Sequence, residues 1–240
     1  ANSEAPGSRP NVMIEFRSEA LWRLGPDEVI NIALRLLEAN GGHIIEAKLS
    51  RVDICLDFLL PDEDWSLNLI EYAVTRATDY APYFRNKKLT GIRIGKDVIS
   101  ARLYDKLLEI QQQSKKYWMF DIWGIQEVPN GKKIIRIEFQ LRREVLKQLG
   151  LKTLLDLPKI DNAWVYCTKN WLKFQDRPGL HHTQRSTLNW YEEVQNGFRG
   201  AQGAQPLVRE KAVAMDKKKL VQQANGLITA IHAINQEETG

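Results

Sequence analysis

The chain has 240 residues, of which 43% are hydrophobic and 27% are charged, and its formal net charge is +4. A chain of this length can bury a sizeable core, and the composition is that of a soluble globular protein rather than a disordered or fibrous one. No apolar run approaches the roughly 18 residues that span a bilayer, so we expect no membrane partner. The two cysteines, Cys55 and Cys167, exclude a disulfide framework and a four-cysteine zinc site.

The first third of the chain is predicted to alternate between extended and helical segments. Residues 1–10 are polar and lack the apolar core of a signal peptide, so we expect a disordered tail on a cytoplasmic protein. Residues 11–17 alternate enough to form a first strand. A helix begins at Pro26 and ends before a pair of glycines. Residues 43–60 form one extended segment, and a serine-capped helix covers residues 66–76.

The middle of the chain is predicted to hold a hairpin. Residues 90–94 and 98–106 are two extended runs around Gly95, and a short helix over residues 107–113 follows them. The aromatic-rich residues 117–123 favour a helix.

The last part of the chain is predicted to contain one more strand and then helices. A turn at residues 129–132 starts a strand over residues 135–142. Two short helices follow, a longer helix covers residues 161–174, residues 197–206 are a linker, and residues 216–234 form a last amphipathic helix. This order predicts an α+β fold with a mostly antiparallel central sheet, a site on one face of it, helices on the other face, and a C-terminal helical region.

Three of the predicted strands have one polar and one apolar face, because side chains two apart on a strand share a face. If their apolar faces cover one core, their polar faces form a single surface with a tyrosine, several carboxylates and several cations. The three polar sets are Arg51, Asp53, Cys55 and Asp57; Arg102, Tyr104 and Lys106; and Arg136, Glu138, Gln140 and Arg142.

Positive charge is concentrated in residues 83–106. This stretch has seven basic residues against Asp97 and Asp105, and they are Arg85, Lys87, Lys88, Arg93, Lys96, Arg102 and Lys106. A local cationic patch attracts phosphate backbones by releasing counterions. The alternative is a solvated face that happens to be basic. Arg51 and Arg142 are further candidates for DNA contacts.

In order and spacing, these segments resemble the replication initiation factor family, which comprises trans-acting rolling-circle plasmid initiators and related relaxases of conjugative elements. That family shows an R-x-D-x-x-x-D strand, a Y-[DN]-K strand with an acidic residue soon after it, and an R-x-E strand. The similarity covers about residues 11–200 and leaves residues 201–240 as a linker and C-terminal helix. The matching residues are Arg51, Asp53 and Asp57; Tyr104, Asp105, Lys106 and Glu109; and Arg136 and Glu138.

The resemblance implies nicking of one DNA strand at an origin. Tyr104 would attack a phosphodiester, leaving a 5′-phosphotyrosine link and a free 3′-hydroxyl, with Lys106 and Arg136 stabilising the developing charge. The carboxylates of Asp53, Asp57 and Glu138 are hard oxygen ligands that suit Mg²⁺ or Mn²⁺. The implied partners are origin DNA with a single-stranded nick site and the helicase and polymerase of a bacterial host. Relatives often act as dimers.

Each assignment has a structural alternative. Asp53 and Asp57 can instead pair with Arg51 and Arg136 across strands, and Tyr104 can be an ordinary strand tyrosine. The aromatic residues of the 161–174 segment either fill the core, which we favour, or stack on single-stranded DNA.

Two other functions compete with a tyrosine nickase. A relaxase with a His-x-His metal pair is rejected, because His181 and His182 are adjacent and point in different directions on a strand or a helix. A non-catalytic DNA-binding regulator of a mobile element would use the same basic patch without cleavage.

Overall fold

The computed structural model describes residues 12–176 and 185–198. The strands are β1 (Arg51–Pro61), β2 (Ala73–Thr75), β3 (Tyr80–Arg85), β4 (Lys88–Ile94), β5 (Ile99–Asp105), β6 (Lys132–Arg142) and β7 (Leu172–Phe174). The helices are α1 (Ser18–Leu24), α2 (Pro26–Ala39), α3 (Leu69–Tyr72), α4 (Lys106–Glu109), α5 (Met119–Trp123), α6 (Arg143–Gln148), α7 (Ile160–Val165) and α8 (Asn189–Gly197). Short 3₁₀ helices cover Asp62–Asp64 and Leu154–Lys159, and π-helical turns cover Ile110–Ser114 and Tyr166–Trp171.

The chain divides into two compact units at residue 47. In the described part of the first unit, α1 and α2 pack on each other, and the start of α2 at Pro26 confirms the predicted helix. The predicted strand over residues 11–17 is wrong, because residues 12–17 belong to no strand. Alternation produces a strand only where one face is buried, and here Met13 is 75% exposed and its neighbours are also exposed.

The second unit is an α+β fold around a five-stranded antiparallel sheet in the order β1-β6-β5-β4-β3. This confirms the predicted fold class. The interior strand β6 has a fully buried apolar side, which comprises Ile135, Ile137, Phe139 and Leu141. The apolar side chains of β1 and β5 share the same core, as the alternation predicts.

The aromatic residues of the 161–174 segment pack in the core. Trp164 is fully buried, and its ring meets Phe139 edge to face with centroids 5.6 Å apart. Tyr166 is also buried, which agrees with the favoured interpretation that these residues fill the core rather than stack on DNA.

Two predicted helices are too long for one shared reason. The helix over residues 66–76 ends at Tyr72, and the helix over residues 161–174 changes to a strand at Leu172. The two ends pair with each other as β2 and β7, with Val74 opposite Lys173. A pairing between segments about 100 residues apart leaves no local signal in either one.

Other boundaries are confirmed with small shifts. The hairpin of β4 and β5 turns at Gly95, α5 covers most of the aromatic-rich segment, and β6 follows Gly131, which has a φ of 73°. The extended segment predicted over residues 43–60 is a strand only from Arg51. The strand β3 was not predicted, because Pro82 weakens a strand pattern, yet β3 is an edge strand, where proline is tolerated.

Several predictions fall on residues that the structure does not describe. These are the tail at residues 1–10, the pair His181 and His182, nearly all of the linker at residues 197–206, and the last helix at residues 216–234. Within residues 12–176 and 185–198, none of the helices has the length and apolar character that crossing a membrane requires.

Candidate active site

The polar face of the large sheet is organised in rows that run across the strands. Residues directly opposite each other in an antiparallel pair have their side chains on the same face. The first row, called here the Tyr104 row, contains one residue from each strand in sheet order: Asp57, Arg136, Tyr104, Gly91 and Tyr83.

A second row lies beside it and is called here the Glu138 row. It contains Cys55, Glu138, Arg102, Arg93 and Ala81. The structure therefore brings the predicted tyrosine, two of the three predicted carboxylates and three of the predicted arginines onto two adjacent rows of one face. The third carboxylate, on Asp53, lies further along β1, opposite Gln140.

The Tyr104 hydroxyl is hydrogen-bonded to a carboxylate. Its Oη donates to Oε2 of Glu138 at 3.2 Å, and Oε1 of the same carboxylate accepts from Nη2 of Arg102 at 2.7 Å. Burial and the negative charge of Glu138 raise the pKa of Tyr104 well above its usual range. The phenol is therefore neutral at physiological pH, and it already points at a group that can accept its proton.

Arg136 and Asp57 form an ion pair with two hydrogen bonds across β1 and β6. The Nε and Nη2 atoms of Arg136 donate to the two carboxylate oxygens at 2.6 and 2.7 Å, and the side chains are only 7% and 9% exposed. Burial opposes the charge on Arg136, but the hydrogen bond to Asp57 and the negative charge around the guanidinium together outweigh burial and raise the arginine pKa. The structural alternative considered for Asp57 is therefore the arrangement observed.

Trp123 is a member of this cluster that the sequence did not reveal. Its Nε1 donates to Oδ2 of Asp57 at 2.9 Å from the last turn of α5. The available signal was the aromatic richness of residues 117–123, which does not distinguish a hydrogen-bond donor from a core residue.

The prediction that Lys106 lies on the same strand as Tyr104 is wrong. The strand β5 ends at Asp105, and Lys106 is the first residue of α4. The Asp105 side chain caps this helix by accepting from the backbone N–H of Leu108 at 2.9 Å. Lys106 still lies beside the tyrosine, with its Nζ 5.7 Å from the centroid of the Tyr104 ring, and it pairs with Glu109. Burial and the nearby charge of Arg136 lower the pKa of Lys106.

The three carboxylates predicted to bind a divalent cation do not fit a shared site in this arrangement. Asp53 and Asp57 are four residues apart on one strand, which is about 13 Å, whereas Mg²⁺ ligands lie about 2.1 Å from the ion. Asp53 accepts from Arg51, and the other two carboxylates accept from Arg136 and Arg102. Within the described residues, no group of three or more His, Cys, Asp or Glu side chains could hold a metal ion. The requirement for Mg²⁺ or Mn²⁺ stays a prediction.

Apart from Arg102, which lies in the Glu138 row, the basic residues predicted to contact DNA fall into three groups. Arg85, Lys87 and Lys88 are exposed at the turn between β3 and β4, where Asn86 and Lys87 have φ values of 49° and 63°, as expected of a two-residue hairpin turn.

The other two groups lie apart from that turn and apart from each other. Arg93 and Lys96 both pair with Asp79, at 2.8 and 3.1 Å. Arg51 and Arg142 lie opposite each other at the far end of β1 and β6. The basic residues closest in register to Tyr104 are therefore Arg102 and Arg136.

Cys55 lies on the polar face beside Glu138, but it is not suited to act as a nucleophile. Burial raises the pKa of its thiol to about 11, so the reactive thiolate is scarce at neutral pH. Cys55 is therefore a small packing residue on this face rather than a reactive thiol.

Comparisons with known proteins give one weak likeness. No family model matches the chain, and no curated protein matches it. A solved structure, the rolling circle replication initiator protein from Geobacillus stearothermophilus, is similar at 14% sequence identity and a TM-score of 0.38. The match covers 68% of this chain and 59% of that chain, so this chain corresponds to less than two thirds of that protein. A likeness at this level does not assign a role to any residue.

Proposed function

We propose that the protein nicks and rejoins one strand of DNA, as a rolling-circle replication initiator or a relaxase, with Tyr104 as the nucleophile. The observation that carries this proposal is the hydrogen bond of 3.2 Å from the Tyr104 hydroxyl to Glu138, on a sheet face that also presents arginine. An attacking group, a proton acceptor and positive charge for a phosphate are then within reach of one reacting centre.

In the proposed reaction Glu138 acts as the general base. Its carboxylate accepts the proton of the Tyr104 hydroxyl as Oη attacks the phosphorus, and the bond from phosphorus to the 3′ oxygen breaks. The products are a 5′-phosphotyrosine and a 3′-hydroxyl, because the 3′ oxygen takes a proton from water and the hydroxide that remains takes the proton from Glu138; the reverse reaction rejoins the strand. A base is needed because the raised pKa of Tyr104 keeps the phenol neutral.

The cations around Tyr104 have separate roles in this scheme. Arg102 holds the Glu138 carboxylate through its 2.7 Å contact, which orients the base. Arg136 lies directly opposite Tyr104, and Lys106 lies over the tyrosine ring, so both place positive charge where negative charge develops. The free 3′-hydroxyl would serve a host polymerase, and a host helicase would open the duplex ahead of it.

The experiment that tests the proposal compares the parent protein with Tyr104→Phe on supercoiled DNA carrying the origin of its own genetic element. Reactions contain Mg²⁺, Mn²⁺ or EDTA, and Tyr117→Phe is the control, because Tyr117 is an exposed tyrosine that belongs to no strand of the sheet. We expect open circles with protein attached to the 5′ end from the parent and from Tyr117→Phe, and intact supercoils from Tyr104→Phe. Nicking by Tyr104→Phe at the parental rate would assign the nucleophile elsewhere.

A second function, a non-catalytic DNA-binding regulator, is favoured by a different observation. The carboxylates of Asp53, Asp57 and Glu138 all accept hydrogen bonds from arginines, which is the pattern of a structural polar face. Such a protein would bind the origin DNA and leave it supercoiled under every metal condition. The nicking assay therefore separates the two functions.

A further inference from the structure

A cavity of about 530 Å³ opens beside Tyr104, and it is called here the Gly91 cavity. It lies between the strands β3, β4 and β5 and the helical segment that follows β5. The side chains that matter for its chemistry are Tyr83, Phe84, Arg102, Tyr104, Gln112 and Gln113. Its volume is in the range of pockets that bind small organic groups, about 300 to 1,000 Å³.

The cavity exists because Gly91 interrupts the Tyr104 row. Gly91 lies between Tyr104 and Tyr83 in the register, so two aromatic residues are separated by a position without a side chain. A Cβ atom on Gly91 would lie 3.2 Å from Cβ of Tyr104 and 3.1 Å from the carbonyl oxygen of Leu103. Two strand spacings amount to about 9.5 Å, so a flat ring placed midway would lie about 5 Å from the residue on each side.

An irregularity in β4 brings a second aromatic side chain to the cavity. The partners of Tyr83 and Phe84 are Gly91 and Leu89, so Thr90 is an extra residue that forms a β-bulge. The Thr90 hydroxyl donates to the carbonyl oxygen of Tyr83 at 3.1 Å and stabilises this geometry. Tyr83 and Phe84 would face opposite sides of a regular strand, yet both line the cavity, and they are 47% and 52% exposed.

The polar groups of the cavity suit a nucleotide. Arg102 lines the cavity and its side chain is 40% exposed, so it places positive charge where a phosphate oxygen can approach. The guanidinium of Arg85 donates to the side-chain oxygen of Gln112 at one end of the cavity. The amides of Gln112 and Gln113 carry both donors and acceptors, which is what the edge of a base requires.

We propose that the Gly91 cavity holds one unpaired base of single-stranded DNA next to the phosphate that Tyr104 attacks. The inference rests on the proposed nicking function, since it names how that site binds its substrate. Exposed aromatic rings beside arginines are the features with which proteins hold unstacked bases. A base inside the cavity has left the double helix, so the site selects single-stranded or locally opened DNA over duplex.

The test measures the binding of a fluorescein-labelled dT12 strand, an abasic strand of the same length and a matched duplex. The proteins are the parent, Phe84→Ala, Tyr83→Ala and the control Tyr117→Ala, whose side chain is 55% exposed and does not line the cavity. Loss of one stacking contact costs about 1 to 3 kcal/mol, so each cavity variant should bind dT12 about 5- to 150-fold more weakly. Tyr117→Ala should bind dT12 as the parent does, and the parent should prefer dT12 to the duplex and to the abasic strand.

Two results would overturn the inference. One is equal binding of dT12 and the abasic strand by the parent, and the other is parental affinity in both cavity variants. Thermal unfolding of each variant shows whether the hairpin remains folded, and both aromatic positions are exposed enough for substitution.

Failure of the proposed function has a different signature. The nicking assay with Tyr104→Phe reports on the chemistry, and the binding of dT12 by Phe84→Ala and Tyr83→Ala reports on the cavity. A protein that never nicks but binds dT12 through Phe84 would retain the cavity and lose the proposed function. A protein that nicks DNA but binds dT12 and the abasic strand equally would keep the proposed function and contradict the proposed role of the cavity.

Discussion

Arg136 and Asp57 satisfy each other across the two longest strands of the sheet, with two hydrogen bonds between side chains that are 7% and 9% exposed. The pair also fixes the place of α5, because Trp123 donates to the same carboxylate. Residues that look like parts of a catalytic motif thus also hold the fold together. Substitutions at these positions will change stability and activity together, so assays of activity need stability measurements beside them.

The first prediction concerns this buried pair. Asp57→Asn leaves the Arg136 charge buried without its partner, so we expect a loss of about 3 to 5 kcal/mol in the free energy of unfolding. Urea unfolding measures it. Asp53→Asn is the matched control, because Asp53 lies on the same strand and pairs with an arginine at a more exposed site, where the expected loss is below about 1 kcal/mol. Equal losses in the two variants would show that burial of the pair does not determine its contribution.

The second prediction separates a general base from a metal ligand at Glu138. An amide keeps the shape of the side chain but cannot take the tyrosine proton, so Glu138→Gln should slow nicking by about 10²- to 10⁴-fold while DNA binding is retained. Glu144→Gln, at an exposed position on α6, is the control. The rate of the variant is then measured at increasing Mn²⁺. Recovery at high Mn²⁺ would assign Glu138 to a metal site instead.

The third prediction follows from the raised pKa of Tyr104, which burial and the charge of Glu138 cause. Above about pH 10 the unfolded chain releases the phenolic proton and the folded protein retains it. The stabilisation is therefore complete below pH 10 and is lost as the pH rises toward the folded pKa. Relative to Tyr104→Phe, the parent should lose unfolding free energy between pH 9 and pH 11. Urea unfolding measures both proteins. A difference in unfolding free energy between the parent and Tyr104→Phe that stays constant from pH 9 to pH 11 would show that the pKa of Tyr104 is not raised.

The fourth prediction compares two glycines with left-handed backbones. Gly95 and Gly124 have φ values of 75° and 64°, but a Cβ on Gly95 would lie 2.9 Å from the carbonyl oxygen of Ile99 and 3.0 Å from the Trp171 ring, whereas Gly124 has open space around it. Gly124→Ala should therefore cost about 1 to 2 kcal/mol, from backbone strain alone. Gly95→Ala adds a collision with the backbone, so we expect about 2 to 5 kcal/mol. Thermal and urea unfolding measure the stability of both variants. Similar losses would mean that the turn between β4 and β5 moves to make room for the new methyl group at residue 95.

The sequence predicted the polar face well because each strand in it carries its own evidence. The alternation in β1, β5 and β6 is local, so the side of the strand that holds Asp57, Tyr104 or Glu138 could be predicted without knowledge of the fold. The side chains that those residues contact could not be predicted from local pattern. That Asp57 meets Arg136 and Trp123 depends on strand order and on the position of α5, which are determined by contacts between distant segments.

The Gly91 cavity could not have been predicted from local pattern. One wall of it is β3, whose proline obscures the strand signal, and its shape depends on the extra residue Thr90 in the partner strand. A glycine in a strand indicates either a bulge or the close approach of another group. At Gly91 the sequence therefore indicates an irregular position in the strand. The residues on either side of it, Tyr104 and Tyr83, can be identified only from the register of the sheet.

The strand β3 has a further effect through its position at the end of the sheet. In the part of the chain that the structure describes, β4 is its one strand partner. An open edge of this kind invites another copy to add a strand, which is a common start of aggregation. Pro82 removes one donor from β3, and the bulge at Thr90 disturbs the neighbouring ladder, so the edge is a poor template for a second chain. The irregularity that shapes the cavity therefore also protects the protein from self-association through this edge.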